Sequence, residues 1–174
     1  MPYKRNENLV RGWAHPGTPG MEHRIGGLEK HFLKGSVSHD PANHQRMTNL
    51  RAAKVAKVQD FLPDQTVIGD ENGDLLVVGW GGTKGHLLTA VKALRAEGKK
   101  VSLCQFNYIN PLPKNVRDIF KNFKKIVVCE LNMGQFANYL RMNFQEFEFL
   151  QFNKVQGQPF TVVELKDKFN ELLG

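Results

Sequence analysis

Four stretches in the last two thirds of the chain are apolar almost without interruption: Leu75–Val78 within "DLLVVGW", then "KVSLCQF", "KIVVCEL" and "EFLQFN". Runs this short and continuous are those of strands buried on both faces. Between them the apolar positions recur every three to four residues. That period predicts helices over about 85–97, closed by Gly98 just past the end, over about Pro113–Phe123, and over about 135–147. A last helix opens on Thr161 and Glu164, the T-x-x-E spacing of a capping box, and carries Val162, Leu165, Phe169 and Leu172 on one face. A short apolar piece, "TVIG", precedes "DENGD", where Asn72-Gly73 favours a tight turn into the first strand. Strands alternating with such helices predict an α/β domain on a mostly parallel sheet covered on both faces. Ligand sites in these sheets lie beyond the carboxyl ends of the strands, here residues 79–85, 107–113 and 130–135.

The first third follows neither period. "WAHPGTPGMEHRIGG" holds two Pro and four Gly in fifteen residues, so Met1 to about Asp40 is expected to be an irregular, extended arm. Leu9, Trp13, Ile25 and Phe32 are too scattered to build a core, and such an arm must lie on something larger or be mobile. At "SHDPANHQRMTNLRAAKVAKV" the signals change. Asp40 is a good N-cap, Pro41 fits the first helical position, and Met47, Leu50, Val55 and Val58 give a loose apolar stripe over a helix of about 41–60. Its other face carries Arg46, Arg51, Lys54 and Lys57, the pattern of a solvated basic face. The expected division is a connecting arm and basic helix at 1–60 and an α/β domain at 61–174.

Charge sharpens that division. Of 24 Lys/Arg and 17 Asp/Glu, residues 1–60 hold 10 and 5, so the basic excess belongs mainly to the first third. That part faces anions or an acidic partner surface, or is simply solvated. It lacks clustered aromatics, a helix-turn-helix cue and any RNA-binding signature, and no nucleic-acid partner is expected. No run reaches the ~18 apolar residues of a membrane span, and "MPYKRNENLVRG" lacks the apolar segment of a secretory signal. A cytoplasmic setting without membrane contact is expected. Cys104 and Cys129 lie inside apolar strands and read as small core side chains. With no Cys/His cluster, no metal site is expected. His15, His23, His31 and His39 recur every eight residues, a spacing that fixes no common face.

Two loops carry the candidate chemistry. "GWGGTKG" is not a Walker A loop, because no Gly-Lys-Ser/Thr closes it, and it is not G-x-G-x-x-G, because Lys84 stands where the third Gly belongs. Its glycines serve a tight strand-to-helix turn, or the stretch Gly81, Gly82, Thr83, Lys84 and Gly85 offers backbone N–H groups at a helix start to an anion or an interface. "CELNMGQF" puts Glu130 and Asn132 at a strand end and Gly134 and Gln135 at a helix start, where a carboxylate orients a ligand or bonds a neighbouring loop. As a general base Glu130 would need a second carboxylate or a His, and the sequence puts none beside it.

Taken together, "RGWAHPGTPGMEHRIGGLEK", "SHDPANHQRMTNLRAAKV", "DLLVVGWGGTKG", "YINPLP" and "VVCELNMGQF" resemble, in order and over essentially the whole chain, the carboxyl-terminal half of the alpha subunit of 2-oxoglutarate:ferredoxin oxidoreductases. The resemblance implies a three-layer αβα domain like the transketolase carboxyl-terminal domain, preceded by a connecting arm. It also implies oxidative decarboxylation of 2-oxoglutarate to succinyl-CoA, with coenzyme A and ferredoxin, through thiamine diphosphate. In that family a larger amino-terminal alpha domain and a beta subunit build the catalytic centre, and the beta subunit carries thiamine diphosphate and, in many members, an iron-sulfur cluster. The thiamine-binding Gly-Asp-Gly signature is missing here; the nearest text, "GDENGD", reads as a turn. No catalytic residue and no bound cofactor is therefore expected in this chain, which reads as an assembly module inactive by itself. Its expected partners are the amino-terminal alpha domain and the beta subunit. The alternative is a free-standing domain that binds coenzyme A or another phosphate compound at 79–85.

Overall fold

The four apolar runs are strands and all pair in parallel: β1 Gly73–Trp80, β2 Val101–Phe106, β3 Phe123–Glu130 and β4 Leu150–Asn153, ordered β2-β1-β3-β4. A computed structural model describes residues 1–174, which divide into two compact units, Met1–Leu62 and Pro63–Gly174. Helices α2 Lys84–Ala96, α3 Val116–Lys121, α4 Gln135–Asn143 and α5 Val162–Leu173 alternate with the strands of the second unit.

Successive strand residues point to opposite faces, and here both faces are buried. Leu76, Val78, Phe106 and Val128 meet Phe120 of α3 and Phe136 and Leu140 of α4. On the reverse, Leu75, Val77, Leu103 and Val127 meet Leu87 and Leu94 of α2 and Leu165 and Phe169 of α5. The result is the three-layer αβα architecture that the resemblance implies. Cys104 lies on the first face and Cys129 on the second, both free and buried, and burial pushes both thiols far above their usual range. The final capping box forms as read. Thr161 Oγ1 accepts from the Glu164 N–H at 3.2 Å, and the Thr161 N–H donates back at 2.7 Å. That N–H first, and Lys154 next, hold the exposed Glu164 carboxyl down at about 2.

Several boundaries differ from the sequence reading. The short apolar piece "TVIG" forms no strand of its own: Ile68 alone bridges antiparallel to Leu103, with N–H···O distances of 2.8 and 2.9 Å, and so covers the outer edge of β2. Helix α3 spans only Val116–Lys121, because Phe123 already begins β3. Helix α4 stops at Asn143 rather than near 147. There the chain turns so that Phe144, Phe147 and Phe149 surround Phe120 edge-on at 5.3–5.7 Å, which a continuing helix would prevent.

In the first unit α1 spans Pro41–Lys57, with Asp40 Oδ1 accepting the Ala42 N–H at 2.9 Å as its N-cap, and a 3-10 turn continues to Phe61. Leu62 is extended, as the residue before a proline prefers, and ends the run. The arm is not extended throughout. Bridges Arg5↔Arg11 and Lys30↔Val37, and turns at Gly17, Gly20 and Gly35 with positive φ, fold it back on itself. The Asn43 side chain ties it to α1, accepting from Phe32 N and donating to Lys30 O, each at 3.0 Å. The expected apolar stripe closes only over its first half, at Met47 and the half-buried Leu50. Met47 is buried, but Val55 and Val58 are more than 40% exposed.

Candidate functional site

The carboxyl ends of β1 and β3 are where α2 leaves toward one face and α4 toward the other. In open α/β sheets such a divergence makes the crevice that receives a ligand. Here the protein's own side chains bridge it. Trp80, the last residue of β1, donates its indole N–H to Glu130 Oε1 at 3.1 Å, and Glu130, the last residue of β3, is completely buried. Phe136 packs edge-on against both Trp80 and Phe106 beside them, with centroids 6.3 and 5.1 Å apart.

Glu130 also organises the start of α4. Its Oε1 accepts from Asn132 Nδ2 at 3.0 Å and Phe136 N at 2.9 Å, and its Oε2 accepts from Ala137 N at 3.0 Å. Asn132 Oδ1 takes the next pair, Gly134 N at 2.7 Å and Gln135 N at 3.0 Å. Four successive N–H groups that would otherwise face an anion are thus satisfied by two side chains of the same loop. Gly134 stands at φ 89°, the left-handed region that favours glycine, and a Cβ there would lie 2.5 Å from Gln151 Nε2, the end of a flexible side chain that would have to move aside. Of the sequence candidates, Glu130, Asn132, Gly134 and Gln135 therefore come together as one capping network. Trp80 escaped the sequence reading. Its one available signal was an aromatic donor at a strand end beside a strand ending in a carboxylate.

The turn at the start of α2 is built differently. Thr83 is buried and its hydroxyl donates to Trp80 O at 2.9 Å, so it fastens the turn. Gly79 is required by close packing: a Cβ there would meet Leu87 Cδ1 at 2.3 Å, Thr83 Oγ1 at 2.9 Å and Gln105 Oε1 at 3.0 Å. Gly81 has φ +57°, the left-handed region that favours glycine. Gly82 and Gly85 are exposed, with open space where a Cβ would stand, and Lys84 is exposed between them. No side chain caps this helix start. The turn is thus steric at Gly79 and Gly81, and bare at Gly82, Lys84 and Gly85. Gly79→Ala is expected to cost about 1–3 kcal/mol by overpacking, whereas Gly82→Ala and Gly85→Ala leave the thermal midpoint unchanged or higher. Equal midpoints for all three variants in a melting series would contradict this division.

No three His, Cys, Asp or Glu gather to hold a metal ion, and the two thiols face opposite sides of the sheet. In "GDENGD" Asp70 is held bidentate by Arg95 at 3.0 and 3.1 Å and Asp74 by Lys124 at 2.8 Å. No helix is long and apolar enough to cross a membrane.

A four-stranded parallel sheet covered on both faces by helices, with Trp80 hydrogen-bonded to Glu130 across its strand ends, defines an α/β domain of transketolase-like fold. More narrowly, residues 73–165 match the family model of the pyruvate:ferredoxin oxidoreductase core domain II, and the chain belongs to that family. The 2-oxoglutarate oxidoreductase subunit KorA of Mycobacterium tuberculosis is 40% identical over 94% of this chain, which spans 25% of that subunit. A solved 2-oxoglutarate:ferredoxin oxidoreductase from Magnetococcus marinus, with 2-oxoglutarate, coenzyme A and succinyl-CoA bound, superposes with a TM-score of 0.87 at 30% identity. The superposition covers 99% of this chain and 30% of that one. A split-gene transketolase, with a TM-score of 0.51 at 15% identity over 64% of this chain and 42% of its own, shares the fold. The chain therefore spans about a quarter of the length of the curated relatives it matches.

Proposed function

We propose that the chain is the assembly domain of the alpha subunit of a cytoplasmic 2-oxoglutarate:ferredoxin oxidoreductase. The closed crevice carries this reading: Trp80 and Glu130 occupy with internal hydrogen bonds the place where a ligand-binding sheet keeps an opening. The complex would convert 2-oxoglutarate and coenzyme A to succinyl-CoA and carbon dioxide and pass the electrons to ferredoxin. In this reading thiamine diphosphate and an iron-sulfur cluster belong to its other parts. The bare surfaces at Gly81, Gly82, Lys84 and Gly85 serve as contact surface for those parts. The connecting arm and basic helix at 1–60 form the attachment, and 61–174 the packed body.

The experiment is co-purification of the tagged chain with the thiamine diphosphate-bearing beta subunit and the amino-terminal alpha domain, co-expressed from the same organism. Both are expected to be retained, and removal of residues 1–40 to release them while 61–174 stays folded. Retention after that removal would sink the assignment of attachment to the arm. One observation favours a second reading, a coenzyme A or phosphate site at 81–85: α2 begins without a side-chain cap and beside Lys84. Saturable micromolar heat on titrating coenzyme A, lost in Lys84→Ala, would favour that reading over the first.

A further inference from the structure

The first unit has an unusual deficit. Among Met1–Leu62 the buried side chains are Pro2, Lys30, Asn43 and Met47, and Met47 is the sole member of the hydrophobic core drawn from this unit. The Lys30 ammonium is enclosed without a hydrogen-bond partner. Meanwhile Trp13 is 87% and Ile25 84% exposed, with Val10 and Leu28 at 42% and 54%. An exposed indole and several exposed aliphatic chains, in a unit with one buried methionine, mark surface that is covered when the protein works.

Three of these residues share one feature. A shallow groove of about 460 Å³ is lined by Val10, Trp13 and Ile25 together with Arg11, His23 and Lys54. No carboxylate lines it. The Arg11 guanidinium rests 3.9 Å from the Tyr3 ring centroid, and the acid that forms ion pairs inside this unit, Glu29, is engaged with His44 and Arg51. The groove therefore offers apolar walls and two cations to an occupant that brings both apolar surface and negative charge. A second copy is a poor occupant, because it would bring the same excess, 10 basic against 5 acidic residues over 1–60. A free anion would leave the indole and Ile25 in water.

We propose that this groove receives a carboxylate-bearing, apolar segment of a protein partner, which supplies the core that Met1–Leu62 lacks. The inference deepens the assembly reading above and rests on it for the occupant being a protein. Binding buries Trp13 and Ile25 and pairs Arg11 and Lys54 with acidic side chains. Its affinity falls with salt through the charges and keeps a salt-independent part from the apolar contact.

The test uses the full chain and three soluble probes: a random glutamate-tyrosine copolymer, polyglutamate of the same length, and a lysine-tyrosine copolymer. Binding is read by tryptophan fluorescence and by light scattering. The glutamate-tyrosine copolymer is expected to bind about tenfold or more tightly than polyglutamate, and the lysine-tyrosine copolymer not at all. Arg11→Glu/Lys54→Glu should weaken it by a similar factor, and Trp13→Ala/Ile25→Ala should erase the advantage of tyrosine. Lys54→Glu alone, on the exposed face of α1, guards against misfolding of the Arg11 variant, with Lys92→Glu on α2 as the control of equal charge. Equal binding of both acidic polymers, or binding undiminished in the Arg11/Lys54 variants, would overturn the proposal. So would a concentration-dependent dimer that Trp13→Ala dissolves. Failure of the assembly reading looks different: no beta subunit is retained although the copolymer still binds.

Discussion

Glu130→Ala is expected to lower the stability of Pro63–Gly174 by about 4 kcal/mol or more, because the deletion leaves four donors without an acceptor inside the sheet layer. Those donors are the Trp80 indole, the Asn132 amide and the N–H groups of Phe136 and Ala137, all within 3.1 Å of the carboxylate. Each unsatisfied buried donor costs about 1–3 kcal/mol, and the missing side chain also leaves a void, since Glu130 is among the largest fully buried groups of the chain. Helix α4 loses half of its N-terminal cap at the same time. Glu130→Gln separates the contributions. Its amide oxygen can keep the three contacts of Oε1, while its NH2 confronts the Ala137 N–H, so a loss of about 2 kcal/mol is expected. Urea titration followed by the fluorescence of Trp80 reads both, with Trp13→Phe as background so that Trp80 is the one indole. A loss under 1 kcal/mol for the alanine variant would mean that water replaces the carboxylate, and that the crevice opens more readily than its hydrogen bonds suggest. That outcome would also weaken the case against a ligand there.

The alternation of elements was legible because its cause is local. A strand buried on both faces must be apolar at every position, and a helix on one face must be apolar every third or fourth. Strand order was not legible, since nothing in "KVSLCQF" states that β2 lies outside β1 while β3 takes the other side. Errors arose where a tertiary contact overrode a period. Phe144 and Phe147 continue the spacing of α4, yet they turn to enclose Phe120. Val55 and Val58 continue the stripe of α1 and stay exposed. At the site, each of Glu130, Asn132, Gly134 and Gln135 was visible, but the network was not. The Asn132 cap follows from a spacing of two and three residues, whereas the contact of Glu130 with Trp80 spans fifty and depends on the pairing of β1 with β3.

Cutting the chain between Leu62 and Pro63 is expected to yield one fragment that folds and one that does not. Residues 63–174 contain both layers of buried apolar side chains, and every strand of the sheet finds its partners inside that fragment. It should unfold cooperatively and show slow amide exchange along β1, β2 and β3. Residues 1–62 bury one Met, worth about 1.5–3 kcal/mol, while each ordered residue costs about 1–2 kcal/mol of chain entropy. The hydrogen bonds of Asn43 and the Glu29 pairs with His44 and Arg51 are too few and too exposed to offset that. Helix α1, at 17 residues and capped by Asp40, retains at most partial helicity alone. Circular dichroism and amide exchange on the two fragments decide the matter. Slow exchange at Phe32 and Tyr3 in the isolated 1–62 fragment would show that the unit stands by itself, and the need for a partner over Trp13 and Ile25 would then lose its physical ground. Fast exchange there, together with exchange at the same amides of the full chain that slows when the glutamate-tyrosine copolymer is added, would mean that the order of this unit is coupled to its contact.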